Sequence, residues 1–220
     1  MAEAATQNTT GVVVTNGVAS PDYSTSRRIS YTEFLEWLDE DTHAEWVDGE
    51  LVPMSPISLV HTKQGKFLLS LISIFVQHYR LGEVAYEPFQ MKTGPGLPGR
   101  SPDILFVANE HLDRLQQTYL DGPADLVVEI VSPDDPDRDY VTKFREYQTG
   151  GVREYWIVDP QRRQAYFHQL DANGQYQLAA LDDQGCYHST VLPGLWLREA
   201  WLWQEPLPGI LDVLREWKLI

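Results

Sequence analysis

The chain has 220 residues, 43% hydrophobic and 22% charged, with a formal net charge of -15. This is the composition of a globular chain long enough to bury a core, and its single cysteine, Cys186, excludes an intramolecular disulfide. No apolar run reaches membrane-spanning length, and the acidity argues against tight non-specific binding to nucleic acid unless the few cations gather on one face.

Residues 1–28, rich in Ala, Thr, Asn, Ser and Val, hold no periodic pattern and are expected to form a flexible tail ahead of one domain over 29–220. Glu3 and the lack of a basic flank give no sign of export, and Cys186 reads as a small core residue, so a reducing cytoplasm is expected. Ser30 and Glu33 form a capping-box signature ahead of Phe34, Leu35 and Leu38, predicting a short packing helix to about Asp39. From Glu45 to Met54, the dipeptide Asp48-Gly49 between apolar segments predicts a hairpin. With Val47 opposite Glu50, one face carries Glu45, Val47, Glu50 and Val52, either as a solvated surface or as a functional pair of acids.

Leu59 to Arg80 carries a helical stripe through Val60, Phe67, Leu68, Leu71, Ile72, Phe75, Val76 and Tyr79, with His61 and Gln64 in its first turn and Gly82 as its stop. Glu83 to Met91 then reads as the first strand of a central sheet. The loop GPGLPGR after it lacks the Gly-Lys-Ser/Thr ending of a phosphate-binding loop; its Arg100 reads as a phosphate contact or as a solvated loop arginine. Asn109 to Asp121 is a short helix and connector, with Leu112 and Leu115 packing inward.

Two apolar runs, Ile104 to Val107 and Leu126 to Val131, read as strands, each with one acid in or against it. If they are antiparallel neighbours with Val107 opposite Asp125, Asp103 faces Glu129 on one side of the sheet. Asp135 and Pro136 mark the start of a helix that Gly150-Gly151 ends, with Tyr140, Val141, Phe144 and Tyr147 on its apolar stripe. Asp139 and Lys143 sit one turn apart within it. Arg153 to Val158 is another buried strand, closing a unit whose crossover should be right-handed. Gln164 to Gln169 and Gln175 to Ala180 form a hairpin around Asn173-Gly174. His188 to Leu197 adds one more strand, bent at Pro193-Gly194. Trp196, Trp201, Trp203 and Trp217, with a helical stripe from Ile210 to Trp217, complete the core or form the seam of a homodimer.

The fold class that emerges is α/β with a mixed (α+β) sheet: after a long helix, strand, strand, strand, helix, strand, flanked by N- and C-terminal hairpins. The runs PDILFV, VVEIVSP and RDYVTKFREYQTGGVREYWIVDP resemble the Uma2 family (DUF820) of the PD-(D/E)XK restriction-endonuclease-like superfamily, over about Ser30 to Leu197. The resemblance implies a Mg²⁺-dependent endonuclease, with Mn²⁺ as a substitute, acting on nucleic acid and in the first place on DNA. It assigns Asp103, Glu129 and the carbonyl of Ile130 to the metal and Lys143 to the attacking water. The usual lysine position, two residues after the glutamate, is Val131 here. The resemblance further makes Glu50 a third carboxylate, Glu45 and Asp139 supporting groups, and His61 a substrate contact at a helix start where superfamily members often carry an acid. Two other readings stay open on the residues alone: a nuclease-like binding module without turnover, and a hydrolase of small phosphoesters.

Overall fold

The computed structural model describes residues 14–15, 18–19, 28–38, 43–54 and 57–220. The tail expected over 1–28 lies almost wholly outside these residues, which include from it the paired strands β1 (Val14–Thr15) and β2 (Val18–Ala19). The capping box forms as its residue types dictate. Glu33 N–H donates to Ser30 Oγ at 3.2 Å, Ser30 N–H donates to the Glu33 carboxylate at 2.8 Å, and α1 (Tyr31–Trp37) follows with Phe34 buried. The hairpin of β3 (Ala44–Val47) and β4 (Glu50–Pro53) has the predicted register, Val47 opposite Glu50.

Helix α2 (Leu59–Tyr79) starts at Ser58, whose hydroxyl caps His61 N–H. It is closed by Arg80 in the left-handed conformation (φ 53°) rather than by Gly82. Gly82 instead opens β5 (Gly82–Tyr86), and a Cβ there would lie 2.0 Å from the Val107 carbonyl oxygen. Only glycine lets the two backbones lie this close. Gly82→Ala is therefore expected to cost about 1–3 kcal/mol, read as a lower melting temperature; an unchanged transition would mean that β5 can move aside freely.

The stretch predicted as one strand over Glu83 to Met91 is two. Pro88 has no N–H for a ladder, and the chain leaves β5 to enter a different sheet as β6 (Gln90–Lys92). Next come β7 (Gly99–Arg100), β8 (Ile104–Ala108), the 3₁₀ turn Asn109–Arg114, β9 (Tyr119–Asp121) and β10 (Leu126–Ile130). A π-helical turn, Arg138–Lys143, runs into α3 (Phe144–Gly150), which Gly151 ends at φ 85°. Then follow β11 (Glu154–Asp159), β12 (Gln164–Leu170), β13 (Tyr176–Leu178), β14 (Cys186–His188), β15 (Trp196–Arg198) and α4 (Ile210–Glu216). The single strand predicted over His188 to Leu197 is thus a pair, β14 and β15, on either side of the Pro193-Gly194 turn.

The fold is mixed α+β. Its central sheet has six strands in the order β13-β12-β11-β10-β8-β5, with β10 and β11 parallel and the rest antiparallel. A second sheet, β4-β3-β7-β6-β9, lies beside it. Alternation along the central strands assigns the two faces. Ile104, Phe106, Leu126, Val128, Ile130, Trp156 and Val158 join Phe67, Leu68, Leu71 and Phe75 of α2 and Trp201, Leu202 and Val213 of the tail in one core. Burying each such large side chain contributes about 1.5–3 kcal/mol. Trp196 packs against Trp201 with the rings tilted by 36° and meets Trp217 edge-on, so these tryptophans complete the core. The odd-numbered residues Leu105, Val107, Val127, Tyr155 and Ile157 face the other way, against Tyr147 of α3 and Met91 and Leu120 of the second sheet. Glu129 belongs to that second face. This is why a carboxylate in an apolar strand comes to lie under α3.

Candidate metal and active site

The β8–β10 register pairs Phe106 with Leu126, Leu105 with Val127 and Ile104 with Val128, and one more step sets Asp103 opposite Glu129. Both acids line a cavity of about 150 Å³ together with His61, Glu87, Ile130, Arg138, Asp139 and Lys143. The π-helical turn widens the start of the helix, and Asp139 and Lys143 are both buried there. Extra residues of this kind in a helix recur at functional sites because they redirect side chains.

Lys143 Nζ lies 2.8 Å from Glu129 Oε1, 3.3 Å from Asp139 Oδ1 and 3.9 Å from Glu45 Oε1. Burial works against its charge, but those three carboxylates hold its pKa above the ordinary lysine value. Tyr147 donates its hydroxyl to the same Glu129 Oε1 at 2.7 Å. Two donors on one oxygen leave Oε2 for a proton or a cation. Burial pushes Glu129 up to about 8, with the Lys143 ammonium pulling the other way and the Asp103 charge adding to the rise.

Asp103 accepts the Ile130 N–H at 2.5 Å and meets His61 Nε2 at 3.3 Å. Burial lowers the tendency of His61 to hold a proton, but hydrogen bonding and charge from Asp103 outweigh it, so its pKa is raised. Glu87, which the sequence reading passed over, is pinned beside Asp103 by its own N–H, which donates to the Asp103 carbonyl at 3.4 Å. Burial and the Asp103 charge raise Glu87 to about 7.

Glu45 and Glu50 share a hairpin face but not a depth. Glu45, at the base, is completely buried and salt-bridged to Arg100 at 2.8 Å and to Arg138. Burial alone would raise it; Lys143, Arg100 and Arg138 bring it down to about 2. It is a counter-ion that organises three cations behind the cavity. Glu50, beside the turn, is 70% exposed, lies 3.8 Å from Arg28 and is not among the cavity's lining residues. Arg100 is a further correction. Its side chain is 6% exposed and donates to Glu45 and, through Nε and Nη2, to Glu146 at 2.8 and 2.7 Å. An arginine tied to two carboxylates in the interior is neither a solvated loop residue nor free to meet phosphate.

The lining holds six acids (Glu87, Asp103, Glu129, Asp134, Asp135 and Asp139) against Arg138 and Lys143. Such an excess of hard oxygen donors suits a divalent cation such as Mg²⁺. The carboxylates are not drawn together: Glu129 leans to Lys143 and Tyr147, and Asp103 to Ile130 N–H and His61. Among the described residues, the group whose donors lie within 4.8 Å of one another is a different one, Glu110, His111 and Asp125. Asp125 precedes β10 while Glu129 is near its end, about 13 Å away at strand rise. Arg153 contacts both Glu110 and Asp125 there at 3.3 Å, so their charge is already compensated.

Residues 31–200 match the profile of the Uma2 family, described as "Putative restriction endonuclease". No curated protein matches the chain. Among solved structures, a "putative nuclease belonging to DUF820" from Anabaena variabilis superposes with a TM-score of 0.64 at 18% identity, covering 80% of this chain and 97% of that one. At that identity the likeness is one of fold. No helix among the described residues is long and apolar enough to cross a membrane.

Proposed function

The chain belongs to the Uma2 family, and from that premise we propose that it hydrolyses phosphodiester bonds of nucleic acid, in the first place DNA, in the cytoplasm with the help of Mg²⁺ or Mn²⁺. The observation that supports this best is that Asp103 and Glu129, opposite one another on neighbouring strands, line one acid-rich cavity, with Lys143 at 2.8 Å from Glu129. Asp103, Glu129 through Oε2, and the Ile130 carbonyl would hold the cation, with Glu87 as a further oxygen donor in place of Glu50. Bound there, a divalent cation acidifies water and neutralises charge on a phosphate.

The chain's own groups divide the remaining work. Lys143, fixed by Asp139 and Glu45 as well as Glu129, keeps Glu129 oriented and holds a positive charge beside the position where negative charge develops on phosphate. His61, polarised by Asp103, offers a donor to a phosphate oxygen at the cavity rim. Tyr147 restrains Glu129 from the opposite side. All these groups come from one chain, so a homodimer is not needed to complete the site. The chain's net charge of -15 favours one second reading, hydrolysis of a small phosphoester.

Pure protein with Mg²⁺ or Mn²⁺ should cut plasmid, single-stranded DNA or RNA; turnover of small phosphoesters alone would select the second reading. Cation affinity should also depend on pH in a stated direction. Glu87 and Glu129, with pKa values raised to about 7 and about 8, carry protons that the cation must displace. Affinity measured by calorimetry is therefore expected to climb as pH rises through 7 and 8. The metal-free protein should lose stability over the range from the ordinary value of 4.5 up to about 8, because the folded state holds protons that the unfolded chain has released. Affinity and stability that are flat across that range would contradict the assignment of these acids.

A further inference from the structure

A second cavity, of about 440 Å³, is lined by Val60, Lys63 and Gln64 of α2, Arg163 of the turn after β11, and Trp203 and Glu205 of the tail. His61 lines the first cavity and its neighbours Val60 and Gln64 the second, so the start of α2 contributes to the walls of both. Gln64 is 5% exposed; it donates Nε2–H to the Leu202 carbonyl at 3.0 Å, and its Oε1 has no hydrogen-bond partner. Lys63 and Arg163 are exposed, and Arg163 uses Nη2 on the Trp203 carbonyl at 2.6 Å, which leaves other guanidinium donors free to turn outward. Two cations and an indole beside apolar walls, in a chain otherwise rich in acids, match the charge and the flat apolar ring of a nucleotide. Glu205 is the one acid of the lining and narrows the anionic group to the Lys63–Arg163 side.

We propose that this cavity receives the nucleotide flanking the bond that is cut, its base against Trp203 and its phosphate between Lys63 and Arg163, on a single-stranded stretch of nucleic acid. The proposal rests on the nuclease reading of the neighbouring site. It explains how an acidic protein holds a polyanion: locally, by one cationic pocket, with no basic face needed.

The test is the affinity of the full chain for a fluorescently labelled single-stranded oligodeoxynucleotide, by anisotropy in EDTA, with cleavage assayed separately in Mg²⁺. Lys63→Glu with Arg163→Glu should weaken binding at least tenfold and lower the salt dependence by about two counterions. Trp203→Phe should bind within a few-fold of the parent and Trp203→Ala roughly tenfold more weakly. Lys66→Glu with Arg145→Glu, the same total charge change on exposed positions outside the cavity, should bind like the parent. If the pocket variant binds no worse than the Lys66→Glu, Arg145→Glu control, or the parent does not bind at all, the pocket assignment is overturned; cleavage by the parent would then leave the nuclease reading standing. Loss of binding in the pocket variant without cleavage by the parent would leave a nucleotide pocket but overturn both its place beside a cut bond and the nuclease reading.

Discussion

Glu129→Gln is expected to reduce cleavage by roughly a thousandfold while leaving the protein folded, because it exchanges the central oxygen donor for a neutral amide of the same shape. The fold should tolerate the change. In the metal-free site Glu129 is disfavoured as an anion by burial and by Asp103, and its Oε1 position still accepts from Lys143 and Tyr147 as an amide oxygen. Lys143 keeps Asp139 and Glu45 as counter-charges. A melting temperature near that of the parent, with cleavage and cation binding both lost, is the expected pattern. Unchanged cleavage would mean that the activity belongs to a contaminant or to another site. Asp103→Asn should behave likewise in cleavage, with an added effect on His61, whose raised pKa depends on the Asp103 charge.

Arg100→Ala is expected to be the most damaging single change to stability, at about 3–5 kcal/mol. The guanidinium lies between Glu45 and Glu146, with 6% of its side chain exposed, and Glu45 is fully buried. Removing it leaves Glu45 with Arg138, Lys143 at 3.9 Å and the Ser101 N–H, and leaves Glu146 without its bidentate partner. The cost should appear in chemical denaturation as a lower midpoint. Because Glu45 also holds Lys143 and Arg138 toward the cavity, cleavage should fall even below the melting transition. Glu50→Ala serves as the comparison: its carboxylate is exposed and its contact with Arg28 is 3.8 Å, so the midpoint should move by less than about 0.5 kcal/mol. If Arg100→Ala proves as mild as Glu50→Ala, the buried ion network does not hold the second sheet to the helix.

What the sequence made legible was whatever depends on local spacing. The acid in each apolar strand, with Asp125 and Val107 as the starting pair, was enough to predict the register that sets Asp103 opposite Glu129. Pro136 and Gly150-Gly151 bounded the helix that carries Lys143, and Asp48-Gly49 fixed the hairpin register. The misses share a cause. Alternation tells which face a residue occupies but not how far along that face the protein interior extends, so nothing in the pattern puts the buried Glu45 ahead of the exposed Glu50. Arg100 sat in a Gly- and Pro-rich loop whose composition suggests solvent, while its partners Glu45 and Glu146 come from distant parts of the chain. Glu87 was hidden because an apparently continuous strand changes sheets at Pro88, and the acid sits at the crossing. The π-helical turn has no composition of its own; Asp139 and Lys143 show only as an ordinary pair one turn apart.

Where a divalent cation binds decides whether Asp103, Glu129 and Lys143 act as one site. Crystals soaked in Mn²⁺ and measured for anomalous scattering should give a peak between Asp103 and Glu129, beside the Ile130 carbonyl, which disappears in Glu129→Gln. A peak at Glu110, His111 and Asp125 alone, or none at either place, would contradict that shared site.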